Sequence, residues 1–110
     1  MTLSKFELNT KSALITGASG LLGIEHAHAL LELGAKVVLT DISEKGLQIA
    51  KEKLIQFYKE EDIVLKKMDV SKKSDIQKVY EDLSNENIRI DILINNAAID
   101  PKVRKGKELN

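Results

Sequence analysis

The sequence has no cysteine and no tryptophan, a single proline, and only two Phe and two Tyr. Without cysteine there can be no disulfide, thiolate zinc site or cysteine nucleophile, and the composition fits a reducing compartment. No apolar stretch approaches the roughly 20 residues of a membrane helix. The opening segment from Met1 to Thr10 scatters its apolar residues around Lys5 and Glu7, without the apolar block of a signal peptide. Net charge is missing as well: 17 Lys+Arg balance 17 Asp+Glu, so no bulk attraction to nucleic acid or anionic membrane is expected. These features read as a soluble, cytoplasmic chain with neither nucleic acid nor membrane among its partners. What is present suffices for one folded domain, with 43% hydrophobic and 31% charged residues in a chain of 110.

Two periodicities alternate along the chain. Ala13-Leu14-Ile15 is a short apolar run that stops at Thr16-Gly17, as a buried strand does. Leu21, Ile24, Ala27 and Leu31 then fall at helical spacing, and Gly34 supplies a left-handed stop. Lys36 to Thr40, centred on Val37-Val38-Leu39, reads as a second strand. Ser43 is placed to cap a helix whose inner stripe is Leu47, Ala50, Leu54 and Phe57. Ile63-Val64-Leu65 begins a third strand, and Ser71 or Ser74 caps a helix burying Ile76, Val79, Tyr80 and Leu83. Asn85 to Asn87 breaks that helix, and Ile90 to Ile94 is a fourth strand. Strands alternating with helices predict βαβ units: an α/β, Rossmann-type, doubly wound parallel sheet. The chain supplies about four strands and three helices of it, in sheet order 3-2-1-4. Residues 1–98 form this portion. Residues 99–110, with Lys102, Arg104, Lys105 and Lys107 behind Pro101, read as a loop or frayed tail.

The turn Thr16-Gly17-Ala18-Ser19-Gly20-Leu21-Leu22-Gly23 sits where the first strand hands over to the first helix. Helical N–H groups at such a start have no intrahelical acceptor, and the helix dipole adds about half a positive charge there. Gly17 permits the tight turn, Gly20 lets backbone approach a pyrophosphate, and Gly23 lets the helix pack close to the sheet. Ser19 offers a hydroxyl donor, and Leu21 and Leu22 supply main-chain amides. The plain alternative is that the glycines serve only a tight turn. Asp41 follows the second strand, eighteen residues beyond Gly23, where a dinucleotide fold places a carboxylate on the adenosine ribose. That charge repels a 2′-phosphate and Ile42 offers no compensating cation, which favours NAD over NADP. Capping of the following turn is the alternative role for Asp41.

With Met68-Asp69-Val70 after the third strand and Asp91-Ile92-Leu93-Ile94-Asn95-Asn96-Ala97-Ala98 at the fourth, the sequence resembles the short-chain dehydrogenase/reductase family. The resemblance runs from Ser12 to Ala98. It implies that Asp69 and Val70 hold the adenine, that Asn95 and Ala97 line the cofactor near its ribose, and that one Asn of the pair ties neighbouring strands together. Capping of the next helix by Asp69, and a buried amide satisfying backbone for Asn95, are the alternatives. The glycine spacing is that of the family's extended branch, whereas Asn-Asn-Ala belongs to its single-domain branch. The stretch Asn95 to Pro101 with Lys102-Val103 is also similar to a bacterial subgroup linked to flagellin or surface-polysaccharide modification.

The resemblance further implies hydride transfer between NAD(P) and an alcohol or ketone, driven by a Tyr, a Lys four residues later and an upstream Ser. Here Tyr58 is followed at that distance by Asp62 and Tyr80 by Ser84. No catalytic residue is therefore assigned, and both tyrosines are expected on peripheral helices far from the nicotinamide end. The chain reads as the N-terminal portion of a protein about twice as long. Small-molecule substrate and homo-oligomer formation are expected only of the longer form. A stand-alone module that senses the nucleotide without chemistry is the competing function. A phosphoacceptor receiver domain would need an acidic pair where Thr16-Gly17 stands. His26 and His28, two apart on a helix, point to different sides and cannot share a metal ion; His28 is spaced to pair with Glu32.

Overall fold

The computed structural model describes residues 8–96; the expected end of the nucleotide-binding portion at residue 98 and the tail 99–110 lie outside them. The elements in chain order are β1 (Ser12–Thr16), α1 (Leu21–Glu32), β2 (Lys36–Asp41), α2 (Glu44–Leu54), a short 3-10 turn (Glu60–Asp62), β3 (Ile63–Lys67), α3 (Lys73–Asn85) and β4 (Ile92–Asn95). The strands form one parallel sheet in the order β3-β2-β1-β4. This is the expected Rossmann-type order.

Period-two alternation sorts the strand residues between two layers. Ile15, Val37 and Leu39 face α1 and α2, packing with Ala27, Leu31, Leu47, Ala50 and Leu54. Leu14 and Val38 face the other way, against Val79 and Leu83 of α3 and Met68. β1 and β2 are thus covered on both sides, which explains their unbroken apolar runs. Among the described residues β4 pairs with β1 only, and its residues alternate between partly buried and exposed.

Local chemistry sets the helix ends. Gly34 at φ 97° and Asn87 at φ 62° take the left-handed position after α1 and α3. In each case two backbone bonds fold back on the last turn: Gly34 to Leu31 and Ala35 to Leu30, then Asn87 to Ser84 and Ile88 to Leu83. Ser43 caps α2 by accepting from the Gly46 N–H at 2.9 Å. The β1–β4 pair is pinned at its start as well. The Asp91 N–H donates to the Ser12 carbonyl at 2.8 Å, and the Ser12 N–H to Asp91 Oδ2 at 3.0 Å.

Several expectations need correction. Leu21 is 79% exposed, because the first turn of α1 overhangs the end of the sheet; the buried stripe is Gly23, Ala27 and Leu31. Phe57 is 70% exposed, since α2 ends at Leu54 and the helical phase is lost. Tyr58 lies beyond that helix and packs on the α1–α2 core instead. Its hydroxyl stands 3.3 Å from the His28 carbonyl, His28 Nδ1 and Glu32 Oε2, so His28 and Glu32 meet through Tyr58. Neither Ser71 nor Ser74 caps α3, which starts after Lys72 with no side-chain cap. Tyr80 on α3 is 40% exposed. β4 begins at Ile92, while Ile88 and Ile90 pack against the α3 layer before it.

Candidate functional site

The chain runs outward from β1 to β2 and β3, then returns across the sheet to β4. The reversal falls between β1 and β4. In open α/β sheets, the crevice at the carboxyl ends of the strands bordering such a reversal is where ligands bind. The glycine turn, Asp41, the Met68–Val70 segment and Asn95-Asn96 all lie at or just beyond the carboxyl ends of strands on this side.

Gly17 adopts φ 60°, a conformation costly for other residues. The turn is tied to β2 by the Ala18 N–H, which donates to the Thr40 carbonyl at 3.0 Å. A Cβ on Gly23 would lie 2.7 Å from both the Gly17 carbonyl oxygen and Ala18 Cα, so α1 touches the turn through a bare backbone. Gly20 differs: an added Cβ would meet only the Gly17 carbonyl oxygen, at 3.6 Å. No side chain caps α1, and no acidic residue occupies its first turn. Leu22 is 60% exposed beside Leu21. The start of α1 therefore presents uncapped N–H groups and the positive end of a helix dipole.

Asp41 holds two elements together. Its Oδ2 accepts from the Ser19 hydroxyl at 2.7 Å and the Ser19 N–H at 3.1 Å, and its Oδ1 from the Ser43 N–H at 3.0 Å. Burial alone would raise its pKa; the donors from Ser43 and Ser19 outweigh that and hold the carboxyl below its ordinary value. Asp41 is therefore an anion with its own structural duty, capping the turn as the alternative reading had it. The Ser19 hydroxyl, expected to be a free donor, is committed to Asp41. Gly46 was not foreseen as part of this cluster. A Cβ there would come within 2.6 Å of Ser19 Cβ and 2.8 Å of its Oγ. The available signal was a glycine inside a helix start, where it costs stability without serving a turn.

Asp69 closes its own loop: Oδ1 accepts from the Ser71 hydroxyl at 2.6 Å and the Ser71 N–H at 2.9 Å. Those two bonds, aided by Lys72, lower its pKa against the effect of burial. Its N–H donates to Asp75 Oδ2 at 3.0 Å, so the first turn of α3 is fastened to the loop by Asp75. Val70 is partly exposed beside it, at 37%.

At the far wall the Thr16 hydroxyl donates to Asn95 Oδ1 at 2.6 Å and accepts from the Asn96 N–H at 3.0 Å. The asparagine pair thus ties β4 to β1, the structural role the motif implied. Thr16, Asn95, Val70 and Tyr80 line a cavity of about 200 Å³ on the α3 side. Tyr80 is thereby close to the strand ends, not remote from them. Ala97 lies outside the described residues. Among the described residues no three His, Cys, Asp or Glu are grouped to hold a metal, and no helix is long and apolar enough to cross a membrane.

Residues 11–110 match the family model described as short chain dehydrogenase. The chain is 38% identical over 92 residues to the short chain dehydrogenase/reductase dpfgG of Gibberella zeae, which covers 84% of this chain and 33% of that protein. Among solved structures it is similar to RhlG of Pseudomonas aeruginosa in its NADP complex. That likeness has a TM-score of 0.79 at 27% identity, over 96% of this chain and 42% of the other. It is also similar to 2-keto-3-deoxy-D-gluconate dehydrogenase from Streptococcus agalactiae, with a TM-score of 0.76 at 32% identity, over 87% and 35% of the two chains. The chain thus spans about a third of the length of its fungal relative. The likeness to a flagellin- or polysaccharide-modifying subgroup gains no support from these matches. Because the agreement extends over nearly the whole sequence and the sheet order alike, this chain belongs to the short-chain dehydrogenase/reductase family, of which it carries the NAD(P)-binding portion.

Proposed function

We propose that the chain binds NAD in preference to NADP, with the pyrophosphate against the main-chain amides of Leu21, Leu22 and Gly23. Gly20, whose own N–H is held by the Gly17 carbonyl, leaves the approach open. The observation that carries this reading is the uncapped start of α1 beside an ionised Asp41. Ser19 and Ser43 supply three donors to Asp41, and the Ile42 backbone N–H also faces it. A ribose hydroxyl would donate to it beside or in place of one of these, whereas a 2′-phosphate would face like charge. Gly17 shapes the turn beneath, and Ser19 acts by holding Asp41. Asp69 and Val70 would receive the adenine, with Asp69 Oδ2 left to accept its amine. Asn95 and Ala97 would line the ribose nearer the nicotinamide.

Bound there, the cofactor supplies hydride transfer. In the longer protein that this chain would begin, the reaction is oxidation of an alcohol or reduction of a ketone in the cytoplasm, in a homo-oligomer. The 1–98 portion would be the cofactor module and 99–110 the lead into the remainder. Neither nucleic acid nor membrane is a partner in this reading.

Titration of the 110-residue chain with NADH and NADPH by calorimetry tests the proposal. NADH should bind more tightly, and Asp41→Ala should narrow the difference. Absence of binding by either nucleotide, or tighter binding of NADPH, would overturn it.

A further inference from the structure

His26 stands on the second turn of α1, four residues beyond Leu22 and so on the same side of the helix. Sequence spacing gave it no partner. In the fold its Nδ1 lies 3.0 Å from Nδ2 of Asn96, a residue 70 positions away, in a part-buried setting. In this hydrogen bond the amide nitrogen donates and Nδ1 accepts. Asn96 is thus held twice. Thr16 of β1 takes its backbone N–H and His26 of α1 takes its side chain.

This places three elements in one linkage around the crevice. α1 carries the exposed amides at one end and the His26 ring one turn later. β1 contributes Thr16, and β4 ends in the Asn95-Asn96 pair. We propose that His26 is a positioning residue of the cofactor crevice: by holding the Asn96 amide it presets Asn96, the residue after β4, against α1 before the dinucleotide arrives. The inference rests on the cofactor reading above and adds to it a residue that touches no part of the ligand.

A wall that is already ordered need not be ordered by the ligand, which saves part of the cost of binding. That saving reaches only a ligand long enough to span from the α1 amides to β4. NADH spans that distance, whereas AMP stops at the adenosine side, near Asp41 and Asp69. The experiment therefore measures NADH and AMP affinities of the 110-residue chain and of His26→Ala, His26→Gln and His26→Phe. One lost hydrogen bond corresponds to a loss of about threefold to tenfold in NADH affinity for His26→Ala, with AMP changed by less than about twofold. His26→Gln, which keeps an acceptor, should recover NADH binding. His26→Phe, which keeps volume alone, should not.

Equal losses for both ligands would mean only that the folded fraction had fallen, and would overturn the proposal. So would unchanged NADH affinity in His26→Ala, or recovery in His26→Phe. A parent chain that binds neither ligand overturns the cofactor reading and this inference with it. A parent that binds both while the variants match it overturns the positioning role alone. Hydrogen exchange of the Asn96 side-chain amide supplies a ligand-free readout. It should be slowed in the parent and in His26→Gln and solvent-like in His26→Phe; solvent-like exchange in the parent would overturn the proposal even if His26→Ala failed to fold.

Discussion

A methyl group added at Gly23 sets two effects of opposite sign against each other. In an exposed helix interior, Gly→Ala gains about 1 kcal/mol from backbone propensity. At Gly23 the new Cβ would lie 2.7 Å from the Gly17 carbonyl oxygen and from Ala18 Cα. Both obstacles are backbone, and the first belongs to a residue held at φ 60°, so no flexible side chain can yield. α1 would have to back away from the turn while Ala27 and Leu31 remain packed in the core. Overpacking of this kind costs about 1–3 kcal/mol, and the upper end applies where backbone must move. The net expectation is a loss of about 2 kcal/mol. For a domain of this size that corresponds to roughly 8–16 °C in Tm. Two partners calibrate the measurement. Gly20→Ala, where the added Cβ has ordinary 3.6 Å clearance, should cost only about 0.5 kcal/mol through the cap position. Ala29→Gly on the exposed side of the same helix should reveal the bare propensity effect of about 1 kcal/mol. Thermal unfolding followed by circular dichroism reads all three. If Gly23→Ala melted at or above the parent temperature, close contact between helix and turn would be refuted.

Three further outcomes follow from the hydrogen bonds. Asp41 has a folded-state pKa below its ordinary value of 3.8, so its contribution to stability is full above about pH 5 and is lost as pH falls through the folded value. Chemical denaturation between pH 7 and pH 3 should show a shallower decline for Asp41→Asn than for the parent, and parallel curves would contradict the assignment. Thr16→Val removes a buried hydroxyl that bonds Asn95 and Asn96; it should cost about 1–3 kcal/mol by urea unfolding, with Thr16→Ser close to the parent. A loss in Thr16→Ser with Thr16→Val at the parent value would show that the methyl group, not the hydroxyl, matters. Tyr58→Phe removes the hydroxyl shared by His28 and Glu32 and should cost about 0.5–1.5 kcal/mol while NADH affinity stays at the parent value; a change in affinity would tie that cluster to the site.

The parts of the fold visible from sequence are those where burial is periodic. Val37-Val38-Leu39 is apolar throughout because α1 and α2 cover one face and α3 the other. Leu47, Ala50 and Leu54 show their face because a whole helix lies on the sheet. Errors gather where an element outruns its support. Leu21 keeps helical phase but overhangs the sheet, and Phe57 continues a spacing after the helix has ended. The uncapped start of α3 escaped for a different reason: Asp69 and Ser71 bond to each other, and Asp75 reaches back from inside the helix. In the site, Gly17, Gly23 and Asp41 are legible because their geometry is local to one turn. His26 and Gly46 are not, because what they touch is decided by how helices settle on strands. A contact between residues 26 and 96 leaves no periodic trace.

The polar pins at the two ends of the β1–β4 pair have a bearing on how this strand tolerates change. Its four residues are only partly covered, so apolar burial alone would allow the pairing to slide. Asp91 with Ser12 at one end and Asn95 with Thr16 at the other act as dowels that admit one alignment. Sliding by a single position would turn Leu93 toward the α1 layer and Ile94 toward the α3 layer, and would unseat both dowels together. Alignment here is stored in three hydrophilic side chains at the margins, those of Asp91, Thr16 and Asn95, leaving the greasy middle of the strand free to vary among residues of similar bulk.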